Sequence, residues 1–353
     1  MTGQLGCAGE YAAQIHYQGG AILYADIPKL SLLRWGRVLD ASSEGFISVP
    51  KVSLSPECCE LLGKVDAWGH ELSLFRDGNL VWQGPVYDIK EYKDRIEITA
   101  RDVIAYLDRR LNNIGFDFTP TGVGAADVGT IFSSLVNNGL AADDPGILPY
   151  FTFELVGSLT QRKATVYQVV IGDELRDLAR LNLDFTTMGR ALIATKEKTA
   201  SQYAGSPIVL TEDHFLGELE VNVAGSETAT FAAVLGDGAI GASGSVNIFY
   251  GLIQRLVRAE RVLDNPSAGL MAALIVDESN PTPVFVVIPQ DGRLSYDAPV
   301  TIEQLVCGTR IDVYVGSYCR KVSMAAKLTR VAVEWAPSVG ESVGISLVPL
   351  PTP

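Results

Sequence analysis

At 353 residues, with 47% apolar and 20% charged side chains, the chain is long enough for two or three cores and too apolar to be disordered. Its net charge of −13, from 41 acidic and 28 basic residues, leaves no basic stripe for gripping nucleic-acid phosphates. No apolar run approaches the ~20 residues that span a bilayer, and the opening MTGQLGCAGEYAAQIHY lacks the basic-then-apolar order of a secretory signal; the expectation is synthesis in the cytoplasm, without a membrane span, until assembly or release.

Residues 20–110 read as β-rich with two helical pieces. Arg37 to Pro50 alternates as strand, polar turn, strand. Pro56 to Leu62 is a short amphipathic helical turn, with Cys58 and Cys59 expected to be buried in it. Asp77-Gly78 is a hairpin signal between two apolar strands. Val81 to Ile89 reads as a strand, a break at Gly84-Pro85 and a second strand, followed by a turn at Lys93-Asp94. Ile96, Ile98 and Ala100 then fall on one strand face, and Asp102 can cap a helix that buries Val103, Tyr106 and Leu107.

Residues 111–205 predict a small α+β domain. A helix opens after Asp127, runs over Val128 to Val136 and closes at Asn138-Gly139. Thr165 is a cap for a second helix through Leu181, with Val169, Leu175, Leu178 and Leu181 inside. Leu183 to Ala194 follows as strand, turn, strand.

Residues 206–353 return to β structure, with strands expected at 208–210, 218–223, 229–235, 284–288, 310–315, 328–335 and 342–348. A helix over 266–278 places Leu270, Met271, Leu274 and Ile275 on an apolar face. No repeat of ~20–50 residues is visible, which excludes solenoids and propellers.

The chemistry-bearing residues do not converge on a reaction. Gly236-Asp237-Gly238-Ala239-Ile240-Gly241 spells G-x-G-x-x-G, but the Ala-Ser-Gly-Ser that follows is a poor helix former, so a glycine-rich turn between strands is expected. His16, His70 and His214 lack metal-ligand spacing. Cys7, Cys58, Cys59, Cys307 and Cys319 form no C-x-x-C and, being odd in number, describe no disulfide scaffold. Asp88, Asp102 and Asp184 sit near strand ends where a glycosidase pair could arise. Trp35, Trp68, Trp82 and Trp335 could form a sugar platform if exposed, or pack sheet cores and subunit contacts. No G-x-S-x-G elbow or P-loop occurs. No catalytic, cofactor-binding or metal site is predicted, and no cofactor.

The order of these segments is similar to that of siphophage tail hubs, the minor tail proteins built like the myophage baseplate hub. The resemblance is carried by Val81–Val103, Asp173–Arg190, Val234–Gly238 with Asn247–Leu252, and Pro289–Gly308, and rests on their co-linearity across most of residues 35–345. It implies an α+β, β-rich fold: a first tube-protein-like β-barrel within 1–110, a lateral α+β domain within 111–205, and a second β-barrel within 206–353 with a helical insertion near 265–278. It further implies a virion structural protein and not an enzyme. A homotrimeric ring at the tail tip would contact the distal tail protein, the tape measure protein and tip or receptor-binding proteins, with phage DNA passing through the lumen without specific binding.

The acidic surplus is largest in 206–353, with 16 acidic against 9 basic residues, and suits such a lumen or ordinary solubility. The chain's end close behind the second barrel fits a bare hub without appended effector domains. The alternatives are a host-glycan-binding tail adhesin, which needs exposed tryptophans, and a tail-associated cell-wall hydrolase, which needs clustered carboxylates or a metal triad.

Overall fold

A computed structural model describes residues 5, 10–27, 29–197, 208–236, 238–259, 265–289 and 292–350; Cys7, Asp237 and the last residues of the Pro-rich tail lie outside these. The fold is mixed α+β and strand-rich, and the chain divides into two compact units. The first comprises residues 1–217, 290–312 and 326–348; the second comprises 218–289, 313–325 and 349–353.

The first unit is built on β1 (Tyr11–Tyr17), β2 (Leu23–Ile27), β3 (Leu32–Val38), β4 (Glu44–Pro50), β5 (His70–Arg76), β6 (Asn79–Glu91) and β7 (Arg95–Arg101). An eleven-stranded sheet runs in the open order Ile208–Thr211, Arg310–Val315, Val322–Ala336, β3, β4, β7, β6, β5, β1, β2, with Gly340–Pro349 also paired to Val322–Ala336. Alternation explains the outer strands: in β1, Tyr11, Ala13 and Ile15 are buried while the intervening residues are not. In β7 the same period buries Ile96, Ile98 and Ala100, as read from sequence. Asp77 and Gly78 both adopt positive φ (49° and 81°) and turn β5 into β6.

The expected break at Gly84-Pro85 is absent, and β6 is one continuous strand of 13 residues. Its first half pairs with β5, ending at Glu71 opposite Pro85; its second half pairs with β7, starting at Val86 opposite Ala100. Gly84 and Pro85 mark the corner where the strand changes partner. A Cβ on Gly84 would lie 1.8 Å from the carbonyl oxygen of Arg101, a backbone atom that cannot rotate away. Gly84→Ala should therefore cost about 3 kcal/mol or more by overpacking. A thermal melt of the purified variant against wild type checks this.

Three helices and a hairpin form the second half of this unit's interior. Helix α1 (Pro56–Leu62) is capped by Ser55, whose Oγ accepts from Cys58 N, and it buries only Leu62. Cys58 and Cys59 are therefore part-exposed, against expectation, and among the described cysteines the buried one is Cys307. Helices α2 (Ile104–Leu107), α3 (Val128–Leu140) and α4 (Ile171–Ala179) pack with the hairpin Leu183–Met188/Ala191–Lys196 around Ile131, Phe132, Leu135, Leu175, Leu178 and Phe185. Each such side chain contributes roughly 1.5–3 kcal/mol on burial.

Asp127 caps α3 by accepting from Gly129 N, but the helix runs through Asn138-Gly139 to Leu140. Gly139 is a packing residue, since a Cβ there would meet the Ile171 side chain at 2.5 Å. Helix α4 begins five residues later than expected, because Thr165 N and Oγ1 both donate to Gln168 Oε1 and form a local turn instead of a cap.

Three polar joints, two buried and one part-buried, tie the helical half to the sheet. Glu71 of β5 is fully buried. Its Oε1 accepts from Tyr106 Oη (2.8 Å) and Gly19 N (3.0 Å), its Oε2 accepts from Gln83 Nε2 (2.9 Å), and the Arg190 guanidinium pairs with both oxygens. Asp102 accepts from Ser43 N (2.7 Å), Ser43 Oγ (2.6 Å), Thr187 Oγ1 (3.1 Å) and Ile104 N (3.1 Å), fulfilling its expected part at the start of α2. In the third joint Lys327 donates to Asp184 and Glu197, at 3.0 Å each, while Asp40 accepts from Phe185 N at 2.9 Å beside them.

The second unit contains a three-stranded sheet in the order Ile240–Gly244, Phe231–Leu235, Gln254–Arg258, a two-stranded pair Glu220–Val223/Val284–Val287, and helix α5 (Asn265–Ser279). The helix buries Ala268 and Ala272, with Met271 and Ile275 part-buried beside them, against Ala232, Val234 and Val257. The expected face was misjudged: Leu270 and Leu274 point outward. The cause is close approach. A Cβ on Gly241 would lie 2.1 Å from Gly269 N, so only small residues fit where helix meets sheet.

Candidate assembly surface

Asn247 and Gly251 enclose three bulky residues, Ile248, Phe249 and Tyr250, between two edge strands. Asn is suited to such a turn because its side chain can accept from the backbone two residues on. Here Asn247 Oδ1 accepts from Phe249 N (2.7 Å) and Tyr250 N (3.2 Å), while Asn247 and Gly251 exchange both backbone hydrogen bonds at 2.9 Å. Gly251 takes φ 70°, which closes the turn at no steric cost.

The base of the loop is fastened from beneath. Buried Thr230 accepts from Ile253 N through Oγ1 (2.9 Å) and donates from the same oxygen to the Gly251 carbonyl (3.1 Å). Asn247 Nδ2 donates to Asn280 Oδ1 (3.1 Å), and hydrogen bonding to Thr282 lowers the pKa of the Tyr250 phenol. A loop held this way presents Ile248 (96% exposed) and Phe249 (91% exposed) in a fixed geometry.

The sheet behind the loop is also open on one side. Register places Ala233 opposite Ala242 and Leu256, and Leu235 opposite Ile240 and Arg258. Since Ala232, Val234 and Val257 face α5, these residues occupy the other face. There Ile240 is 67% and Leu256 is 59% exposed. Exposed apolar side chains on an open sheet face beside a preorganised apolar tip suit a protein contact, because binding need not order the loop.

The residues singled out from sequence are dispersed. The strand before the glycine run leads through Gly236 and Gly238 into the strand Ile240–Gly244 and not into a helix, as expected. His16 meets Ser73 Oγ, buried His70 accepts from Asp66 N, and His214 accepts from Thr211 N, all through Nδ1. Among the described residues no group of three or more His, Cys, Asp or Glu is placed to hold a metal. Asp102 and Asp184 are buried in separate joints and Asp88 pairs with Lys90 at the surface. Trp35 and Trp82 are buried, Trp68 packs on the helical core, and Trp335 lies against Tyr11, so the four form no exposed platform. The sequence marks Asn247–Leu252 only as part of the resemblance and not as a contact surface, although bulky apolar residues between Asn and Gly are the signal that finds it. Among the described residues no helix is long and apolar enough to cross a membrane.

No family model matches the chain, and no curated protein is similar to it in sequence. Solved structures are similar in fold. The 43 kDa tail protein of prophage MuSo2 from Shewanella oneidensis superposes with a TM-score of 0.62 at 12% identity, over 96% of this chain and 97% of that one. A tail protein from Neisseria meningitidis gives 0.59 at 12% identity over 96% of both chains. Prophage tail protein gp18 from Listeria monocytogenes gives 0.55 at 10% identity, over 95% and 94%. The chain thus has the fold of prophage tail proteins.

Proposed function

We propose that this chain is a structural component of a phage virion, the hub of the tail tip or baseplate. One observation carries the reading: the likeness to prophage tail proteins runs nearly end to end, over 95–96% of this chain and 94–97% of theirs. In this reading three copies form a ring that closes the distal end of the tail tube and holds tip or receptor-binding proteins during DNA delivery. Residues 1–110 and 206–353 supply tube-like barrels, the latter with α5 as its helical insertion, and 111–205 the lateral domain. The distal tail protein and tape measure protein are its neighbours. A closed ring would cover the sheet edges that the open strand order leaves at β2 and Ile208–Thr211. The part is mechanical, without catalysis.

A cryo-electron-microscopy map of the virion tail tip tests the proposal. Three copies at the end of the tube support it; finding the chain only on peripheral fibres, or absent from particles, overturns it. Against the adhesin alternative, Trp35 and Trp82, two of the four tryptophans it would use, are buried.

The apolar tip supplies a finer test. Ile248→Ser with Phe249→Ser removes two side chains with almost no intramolecular burial, so stability should change by less than about 0.5 kcal/mol. Incorporation into tails should nevertheless fall sharply. Thermal melts alongside quantification of the chain in purified particles read both effects.

A further inference from the structure

Helix α5 is apolar on every side. From Ala268 to Val276 it holds no polar side chain, and a helix of that kind is normally buried all round. The three-stranded sheet covers one side, taking Ala268 and Ala272. The other side is bare among the described residues, with Leu270 65% and Leu274 53% exposed. These are not scattered surface residues, because the two leucines lie one turn apart on a single row.

The bare side has relief. Leu270 and Leu274 form a ridge along an i, i+4 row, and Gly269 and Ala273 form the lower row beside it. A Cβ added at Gly269 would meet nothing within 4 Å, so that row is open. A ridge beside a groove on one helix is self-complementary: a two-fold rotation seats the ridge of each copy in the groove of the other. Charge sets the direction. The first turn of α5 holds no acidic residue and the last turn no basic one, while exposed Asp277 and Glu278 follow Leu274 on the same side. Parallel copies would bring all these carboxylates together. Antiparallel copies set each pair beside the positive first turn of the other helix.

We propose that α5 is the contact of a two-fold dimer of this chain, packed antiparallel on α5 of a second copy, with Leu270 and Leu274 of each in the Gly269–Ala273 groove of the other. The contact lies on the opposite side of the sheet from Ile240 and Leu256 and is independent of the ring proposed above. One helix face is a small interface, so the pairing should be weak, with a dissociation constant of roughly 10–100 μM.

Sedimentation velocity of the full chain from about 1 to about 500 μM tests this, and the mass should rise from one chain to two. Leu270→Gln with Leu274→Gln exchanges exposed side chains for equally good helix formers, so Tm at about 1 μM should hold while the dimer weakens about tenfold or more. Gly269→Gln should move the two states in opposite directions. It fills the groove and weakens the dimer, yet raises the Tm of the monomer by removing a glycine from a helix. Asp277→Asn with Glu278→Gln should weaken the dimer about two- to fivefold, and tightening instead would overturn the antiparallel arrangement. A monomer at every concentration would overturn the proposal and leave the face to a different protein. Dimers or trimers indifferent to the substitutions at 269, 270 and 274 would overturn it too, since another surface would then be the contact.

Discussion

Arg190→Met should destabilise the chain by about 3–5 kcal/mol, because it leaves the Glu71 carboxylate buried without its cation. In a protein of this size that corresponds to a fall in Tm of roughly 10 °C. Glu71 has no solvent to turn to, being fully buried near the start of β5. Arg190 also donates to the carbonyls of Pro145 and Gly146, so its removal loosens the loop after α3 along with the hairpin that carries it. Tyr106 registers the same environment: burial, then the charge and hydrogen bond of Glu71, raise the pKa of its phenol far above the usual range.

A double replacement separates two explanations. If the cost lies in the orphaned charge, Glu71→Leu with Arg190→Met should be less damaging than the sum of the single changes, although Tyr106, Gln83 and Gly19 N still lose an acceptor. Strict additivity in urea melts would place the cost in packing instead.

Asp40→Asn should stabilise the chain above neutral pH. Burial, supplemented by the charges of Asp184 and Glu197 and opposed by the Phe185 amide and Lys327, raises the Asp40 carboxyl to about 7. Its unfolded value is near the ordinary 3.8. Between these values the folded chain holds a proton that the unfolded chain has released, so stability falls as pH rises from about 4 to about 7 and is flat for this group above that. The full penalty is on the order of 2–4 kcal/mol.

Asparagine keeps the acceptor for Phe185 N and tolerates the φ of 57° at this position. The gain should be about 5–10 °C in Tm at pH 8 and should shrink toward zero as pH approaches 4. Melts of both proteins across this range decide it; parallel pH profiles would show that Asp40 does not titrate as described.

Local signals in the sequence were reliable where one face of an element meets one core. Ile96, Ile98 and Ala100, the Asp77-Gly78 turn and the Asp127 cap all follow from short-range stereochemistry. The failures have tertiary causes. β5 reads as an apolar strand, but its burial on both faces, Glu71 and Ser73 included, is not visible in the sequence, because Arg190 and Tyr106 supply the partners of Glu71 from distant segments. The outward Leu270 and Leu274 could not be foreseen without knowing that Gly241 draws α5 in at Ala268. The exposure of the 247–251 tip was not legible as a surface, since nothing local reveals that Ile248 and Phe249 stay uncovered among the described residues.

The change of partner along β6 has a mechanical consequence. A strand that belongs wholly to one hairpin can be peeled away pair by pair, each hydrogen bond bearing load alone. Because β6 is clamped to β5 over its first half and to β7 over its second, tension along it is shared by both clamps in shear. Neither half of the sheet can yield separately, and the corner at Gly84 and Pro85 is where a pulling force passes from one to the other.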